Sequence, residues 1–271
     1  MRPLALAALS LLPYPPADVV RIAGAAGFRS VGLRLVATPG GVDHQLLGNS
    51  PARRATVRAL RTCGVSTLDV EVFRLLPPDQ GAMPPAEPVF EAAAELGARY
   101  AVVISYDTDT GRAADRLAAL CRLADGYRMA CVVEFMGFIA VRTIDAALDL
   151  VERSGAANAG VLVDPLHLIR TGGSAADIHH LPRSRLMFAQ FCDARHGRPE
   201  PDPAAARAEA VADRLPPGQG ALPLREILGA LPPDIPLSVE VPPAAGASPV
   251  DHAARLYAAA AAFAARTATG P

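Results

Sequence analysis

Short apolar runs recur along the whole chain, at Leu4–Leu12, Ser30–Val36, Thr67–Phe73, Tyr100–Ser105, Ala130–Phe135, Gly160–Val163, Leu186–Cys192 and Pro236–Val241. Their length and content predict strands. Helical patterns fill the gaps: Pro16–Ala26, Ala52–Cys63, Glu87–Leu96, Gly111–Arg128, Thr143–Ser154, a short Ser174–His180, Leu222–Leu231 and Val250–Arg266. Several have conventional starts, such as Asp18 after "PPA" and Thr143 before "IDAALDLV". In "AGFRSVGL" and "CGVSTLDV" a helix stops at glycine and a strand follows, the usual helix-to-strand junction.

Strand and helix thus alternate eight times over roughly 250 residues, the count of a (β/α)₈ barrel. We expect one such domain over residues 1–271. A doubly wound sheet is the competitor, but no glycine-rich fingerprint follows the first strand. The longest irregular segment, Arg195 to Gly220, follows the seventh strand and is rich in proline and charge. Loops of that length in a compact domain are usually functional or mobile.

Composition removes several function classes. Half the residues are apolar (51%), a fifth are charged (20%) and the formal net charge is −1. That balance carries no basic footprint for nucleic acid, and no apolar run is long enough to span a membrane. All 26 basic side chains are arginine. Without lysine there is no Schiff base, no pyridoxal phosphate attachment and no P-loop. The N-terminal "MRPLALAALSLLPYPP" has the arginine and apolar run of a secretory leader but no small-x-small cleavage site. It runs into proline-rich turn residues before a helix, which suits a first strand. Cys63, Cys121, Cys131 and Cys192 lack metal or disulfide-framework spacing, so free thiols in a reducing cytoplasm are expected.

The chemistry lies at the ends of the last four strands. Each carries one polar residue in apolar company: Glu134 in "CVVEFMGF", Asp164 in "VLVDPLHL", Gln190 in "FAQFCDA" and Glu240 in "PLSVEVPP". Barrel active sites form at the C-terminal ends of strands, and strands five to eight are neighbours around the ring. Three carboxylates sharing one desolvated space repel, so either their pKa values rise or a cation holds them together. An all-oxygen set favours a hard ion such as Mg²⁺ or Mn²⁺ over Zn²⁺. The bland alternative, in which each residue bonds a loop separately, is natural for any one of them and strained for four in register.

In "EFMGFIAVRTIDAALDLV", "GVLVDPLHLIRTGG", "AQFCDA" and "LPPGQGALPLREIL…PLSVEVPP" the chain resembles the xylose isomerase-like TIM barrels. These include sugar-phosphate isomerases, ketose 3-epimerases, inosose dehydratases and 3-dehydroshikimate dehydratases. The resemblance implies one divalent metal held by Glu134, Asp164, Gln190 and Glu240, with Gln190 where most members have histidine. Some dehydroshikimate dehydratases are similar in using glutamine there. His167 matches the family's D-x-x-H histidine, which contacts substrate near the metal. Asp193 and Arg195 fall where members hold substrate oxygens or orient a ligand. Glu71, Arg74 and Arg34 either line the pocket or form a structural ion pair.

The implied reaction is proton abstraction beside a carbonyl, with Glu134 and Glu240 removing and returning a proton, His167 assisting, and an enediolate intermediate. An isomerase or epimerase acting on a small polyhydroxylated ketone is the first expectation. A dehydratase, which would expel a β-hydroxyl, is the second, and Gln190 is its best hint. Apurinic-site endonucleases share the barrel, but their histidine-rich zinc sites and basic surface are lacking here. His44, His196 and Arg198 are weak mouth-side candidates; His179, His180 and His252 read as surface or helix residues. The apolar C-terminal "ARLYAAAAAFAAR" either serves an interface between copies or closes the barrel wall.

Overall fold

All eight apolar runs form strands in the computed structural model, which describes residues 2–81, 85–197 and 202–268. They are β1 (Leu4–Leu6), β2 (Ser30–Arg34), β3 (Ser66–Leu75), β4 (Tyr100–Ser105), β5 (Ala130–Glu134), β6 (Ala159–Val163), β7 (Leu186–Phe191) and β8 (Leu237–Val239). Every pairing is parallel, and β1 closes the ring against β8 in the register Leu6↔Val239. The fold is therefore a (β/α)₈ barrel. Strands of an all-parallel barrel are covered on both faces, which is why they read as continuous apolar runs.

Around the ring lie α1 (Pro16–Ala26), α2 (Pro51–Cys63), α3 (Ala86–Glu95), α4 (Thr110–Gly126) and α5 (Ile144–Ser154). After β6 come α6 (Pro165–Arg170) and α7 (Ala175–His179), then α8 (Pro203–Ala212), α9 (Leu224–Ala230) and α10 (Pro249–Ala268). Capping follows the sequence: the Thr143 hydroxyl accepts the N–H of Ala146, and Gly27, Gly64 and Gly155 close α1, α2 and α5 in the left-handed conformation.

Two layers of apolar packing result. Inside the barrel, Ala5, Leu68, Val72, Val102, Val132 and Leu162 pack in one cluster with the stacked Tyr100 and Phe188 rings, whose centroids lie 5.3 Å apart. A larger layer joins strands to helices. The C-terminal helix contributes Ala253, Leu256, Ala260 and Phe263 to it, and Tyr257 meets Phe28 edge-on at 5.2 Å. Its apolar face thereby closes the barrel wall. No helix among the described residues is long and apolar enough to cross a membrane. All four cysteines are free.

Three elements depart from the sequence reading. The first strand is short: after Leu6 the chain enters a 3₁₀ turn over Ala8–Leu11. There the Ser10 hydroxyl donates to the Val239 carbonyl and accepts the Val241 N–H, pinning the end of β8. A one-and-a-half-turn helix, α6, follows β6 directly, with Asp164 as its N-cap. The segment expected to be irregular, Arg195 to Gly220, contains α8, capped by the Asp202 carboxylate with Pro203 in its first turn. Proline clusters on both sides masked that helix, although Asp–Pro followed by "AAARAEAVA" is a helix start.

Candidate active site

Parallel strands deliver their C-terminal ends to one face, so Glu134, Asp164, Gln190 and Glu240 meet at the barrel mouth. All four are buried. Glu134, Gln190 and Glu240 line a cavity of about 260 Å³ whose wall also includes Arg34, Glu71, His167 and Arg214. Asp164 lies outside that wall and meets it through Arg214. A larger cavity of about 700 Å³ lies outside the barrel between the end of β3, α3 and α4. It holds Arg74 and none of the clustered carboxylates, so Arg74 is not part of the mouth. The Glu71, Glu134 and Glu240 carboxylates belong to the smaller cavity.

One residue in the cluster was not anticipated. Arg214, two residues beyond α8 and 6% exposed, places its guanidinium among the carboxylates. Its Nη1 lies 2.5 Å from Asp164 Oδ2 and its Nη2 lies 3.0 Å from Glu240 Oε2. Nε donates to the Ala210 carbonyl at 2.6 Å, and Nη1 also reaches Cys192 Sγ at 3.2 Å. The side chain is thus held from both ends.

The neighbouring contacts complete the cluster. The Gln190 amide donates from Nε2 to Glu240 Oε1 at 2.9 Å, while its buried Oε1 has no partner. Asp164 Oδ1 accepts the Leu166 and His167 N–H groups at the start of α6. The Glu134 carboxylate makes no hydrogen bond among the described residues, and one donor atom each from Glu134, Asp164 and His167 lie within 4.8 Å of one another. On the far wall, Arg34 Nη2 meets Glu71 Oε2 at 2.6 Å. That pair both lines the pocket and forms a buried salt bridge. Below it the buried Asp69 carboxyl leaves Oδ1 unpaired and sits where a Cβ on residue 32 would come within 2.9 Å, which only Gly32 tolerates.

Charge accounting explains the ionisation of these groups. Among the described residues, Glu71, Asp164 and Glu240 are ion-paired to two guanidiniums, Arg34 and Arg214. If these three and Glu134 were all ionised, they would carry two negative charges beyond those partners in a desolvated space. Burial, then Glu240 and Asp164, pushes the Glu134 carboxyl well above the usual range. Burial, with Glu71 and Asp164, lifts Glu240 to about 8 against the opposing pull of Arg214. For Asp164 burial acts upward, but Arg214, His167 and the helix N–H groups outweigh it and the pKa falls. Two protons or one divalent cation would neutralise the excess.

His167 is buried and neutral. Burial foremost, with Arg214 adding to it and Asp164 opposing, holds its pKa down to about 4. Unfolded histidine titrates near 6.5, so the folded form binds fewer protons between those values. Its contribution to stability is complete above pH 6.5 and is lost as pH falls towards 4, on the order of 3 kcal/mol at full extent. Glu134 and Glu240, with raised pKa values, act in the opposite sense over their own windows. The expected result in metal-free protein is that His167→Gln removes a loss of urea stability between pH 6.5 and 4. An unaltered pH profile in that variant would refute the assignment.

Two expected substrate contacts lie elsewhere. Asp193 does not face the cavity: Oδ1 accepts the N–H groups of Ala194 and Leu222, and Oδ2 those of Gly218 and Gly220. The carboxylate therefore organises the "LPPGQGAL" loop. Gly218 has a φ of +83°, and a Cβ at Gly220 would fall 2.4 Å from Asp193 Oδ1. Arg195 points to solvent with its side chain 69% exposed, 3.5 Å from Asp213. Removing the Asp193 acceptor orphans several N–H groups at 1–3 kcal/mol for each that stays buried. Asp193→Ala is accordingly expected to lower stability by about 3 kcal/mol, read from the midpoint of urea unfolding.

Among the weaker candidates, His44 bonds the Leu12 carbonyl at 2.8 Å and His252 is buried against the Val241 carbonyl at 2.8 Å. His179, His180 and His196 are exposed, and Arg198 lies outside the described residues.

Comparison with known proteins agrees with this architecture. The family model described as "Xylose isomerase-like TIM barrel" matches residues 20–266. No curated protein sequence matches the chain. Among solved structures, the IolI protein with a bound zinc atom superposes with a TM-score of 0.81 at 16% identity, covering 98% of this chain and 99% of that one. The probable 3-DHS dehydratase AsbF from Bacillus anthracis gives 0.72 at 13% identity, with 96% and 99% covered. L-ribulose 3-epimerase gives 0.72 at 12% identity, with 99% and 96% covered. The chain also spans 41% of a xylose isomerase-like TIM barrel/4-hydroxyphenylpyruvate dioxygenase fusion protein, at 20% identity and a TM-score of 0.76. Identities this low establish a shared fold.

Proposed function

Because the chain belongs to the xylose isomerase-like TIM barrel family, we propose that it is a divalent-metal-dependent isomerase or epimerase of a small polyhydroxylated ketone. The observation that carries this reading is the buried carboxylate cluster at the mouth, with its charge excess and the unpartnered Gln190 Oε1. An unpaired buried acceptor costs about 1–3 kcal/mol, and a hard cation is the species that four oxygen-bearing side chains suit. Glu134, Asp164, Gln190 and Glu240 would hold it, with His167 beside them. Mn²⁺ or Mg²⁺ fits that set better than Zn²⁺. When bound, such an ion supplies Lewis-acid stabilisation of the negative charge that develops on the substrate oxygen.

The protein's own groups do the rest. Glu134 and Glu240, on β5 and just past β8, flank the cavity and are the groups to remove and return the proton beside the carbonyl. Neutral His167 is an uncharged hydrogen-bond partner for a substrate hydroxyl. The apolar wall of Val72, Val102, Ile104, Met136 and Phe138 limits water around the reacting carbon.

A second reading, dehydration of a cyclic keto acid or inosose, is favoured by Gln190 and by Arg34, Arg207 and Arg214 in one cavity wall, since guanidiniums suit a carboxylate. Two assays separate them. Incubation of ketoses and cyclitols with Mn²⁺-loaded protein in D₂O is expected to give C–H exchange and an epimer or isomer. Rise of a conjugated or aromatic chromophore from 3-dehydroshikimate without exchange into returned substrate would replace the isomerase reading by the lyase. Elemental analysis and Mn²⁺ titration are expected to give one ion per chain; no uptake at all would refute the metal.

A further inference from the structure

The carboxylate oxygens best placed for a metal ion are already held by a cation of the protein itself. Arg214 bridges Asp164 Oδ2 at 2.5 Å and Glu240 Oε2 at 3.0 Å. The geometry points to a direct exchange: the Arg214 guanidinium and the divalent ion compete for the same two oxygens. The arginine closes the site in the metal-free protein and withdraws for the ion to enter. This inference rests on the metal reading above.

Three features carry it. Oxygen ligands approach Mg²⁺ at about 2.0–2.1 Å and Ca²⁺ at 2.3–2.6 Å, so a guanidinium nitrogen at 2.5 Å from Asp164 Oδ2 occupies the space that an ion on that oxygen needs. Two positive charges on one carboxylate pair also repel. Second, the other half of the site is open. Gln190 Oε1 is buried without a partner, and the Glu134 carboxylate makes no hydrogen bond among the described residues. Third, the arginine arrives from outside the barrel. Arg214 stands just beyond α8, whose Glu209 is gripped by Arg170 of α6 at 2.7 and 2.8 Å, while the next residue, Leu215, pairs with Asp193 through two backbone bonds. The main chain is anchored on both sides of position 214, so the moving part is a long side chain with many rotamers. Arginine keeps its proton at any ordinary pH, so only another cation can take its place.

Competition lowers apparent metal affinity by the fraction of molecules with the site open. If the arginine closes it nine times in ten or more, Arg214→Gln binds Mn²⁺ at least about tenfold more tightly than the parent protein. Isothermal titration of both metal-free proteins measures this. Unchanged or weaker binding in a folded Arg214→Gln protein overturns the exchange, since an arginine that merely supports the ligands would act that way. A second measurement needs no variant. In ¹⁵N–¹H spectra of the metal-free protein, the buried Arg214 Nε–H, bonded to Ala210, is expected to exchange slowly with water. Saturating Mg²⁺, which is diamagnetic, is expected to abolish that protection, and its persistence in the metal-bound protein overturns the proposal. If neither the parent nor Arg214→Gln takes up any divalent ion, the metal reading fails as well. If the parent binds and the variant binds no more tightly, only the exchange fails.

Discussion

Glu240→Gln is expected to lower turnover by about 10²–10⁴-fold, the range for removing a positioned acid–base group. The substitution keeps the shape of the side chain. An amide oxygen can still accept from Arg214 Nη2, now 3.0 Å from Oε2, and the Asp164 contact at 2.5 Å holds the guanidinium independently. Circular dichroism and urea midpoints should therefore report a folded barrel. What disappears is the group proposed to take a proton from carbon, whose pKa in the metal-free site stands at about 8 because of burial and the neighbouring Glu71 and Asp164. The readout is the rate of C–H exchange in D₂O with whichever ketone the screen identifies. Full exchange by Glu240→Gln would remove Glu240 from the acid–base pair and leave Glu134 alone in that role.

Arg214→Gln carries the largest expected effect on stability. In metal-free protein it should cost about 3–5 kcal/mol, the usual consequence of deleting one partner of a buried ion pair. Asp164 and Glu240 are both buried, and each would lose its ion pair with Arg214. The loss is expected to be conditional. Mn²⁺ at about a hundred times its Kd should restore roughly 2.7 kcal/mol by mass action, since an ion can neutralise the carboxylates that the arginine leaves. Arg207→Gln is the control: Arg207 is exposed at the cavity rim, and its replacement should stay within about 0.5 kcal/mol of the parent. Equal urea midpoints for Arg214→Gln and the parent without metal would show that the buried pair contributes nothing net.

The comparison between Asp164 and Asp193 shows how far a sequence carries a functional argument. Both are buried aspartates beside the ends of barrel strands. Asp164 joins the carboxylate cluster, whereas Asp193 spends its acceptors on four backbone N–H groups of the following loop. Nothing in the residue types distinguishes them. The difference lies in where the chain between Ala194 and Leu222 returns, which is a tertiary fact. Arg195 and Arg214 make the same point for cations. Arg195 stands next to the site in sequence and points to solvent, while Arg214 lies 24 residues beyond Gln190 and fills the site. A helix start at Asp202–Pro203 was legible, but its consequence for Arg214 was not.

The sequence by itself determined the strand order, the closure of the barrel and the gathering of Glu134, Asp164, Gln190 and Glu240 at one end. The reason is that period, strand length and parallel direction are local or nearly local properties. Parallel strands must present their C-terminal ends together, so polar residues at those ends must meet. Only the tertiary structure decided which of those oxygens are free and which are held. Hydrogen-bond partners and counter-charges come from segments distant in sequence, and a buried guanidinium is recruited by the electrostatics of the finished cluster rather than by any pattern around itself.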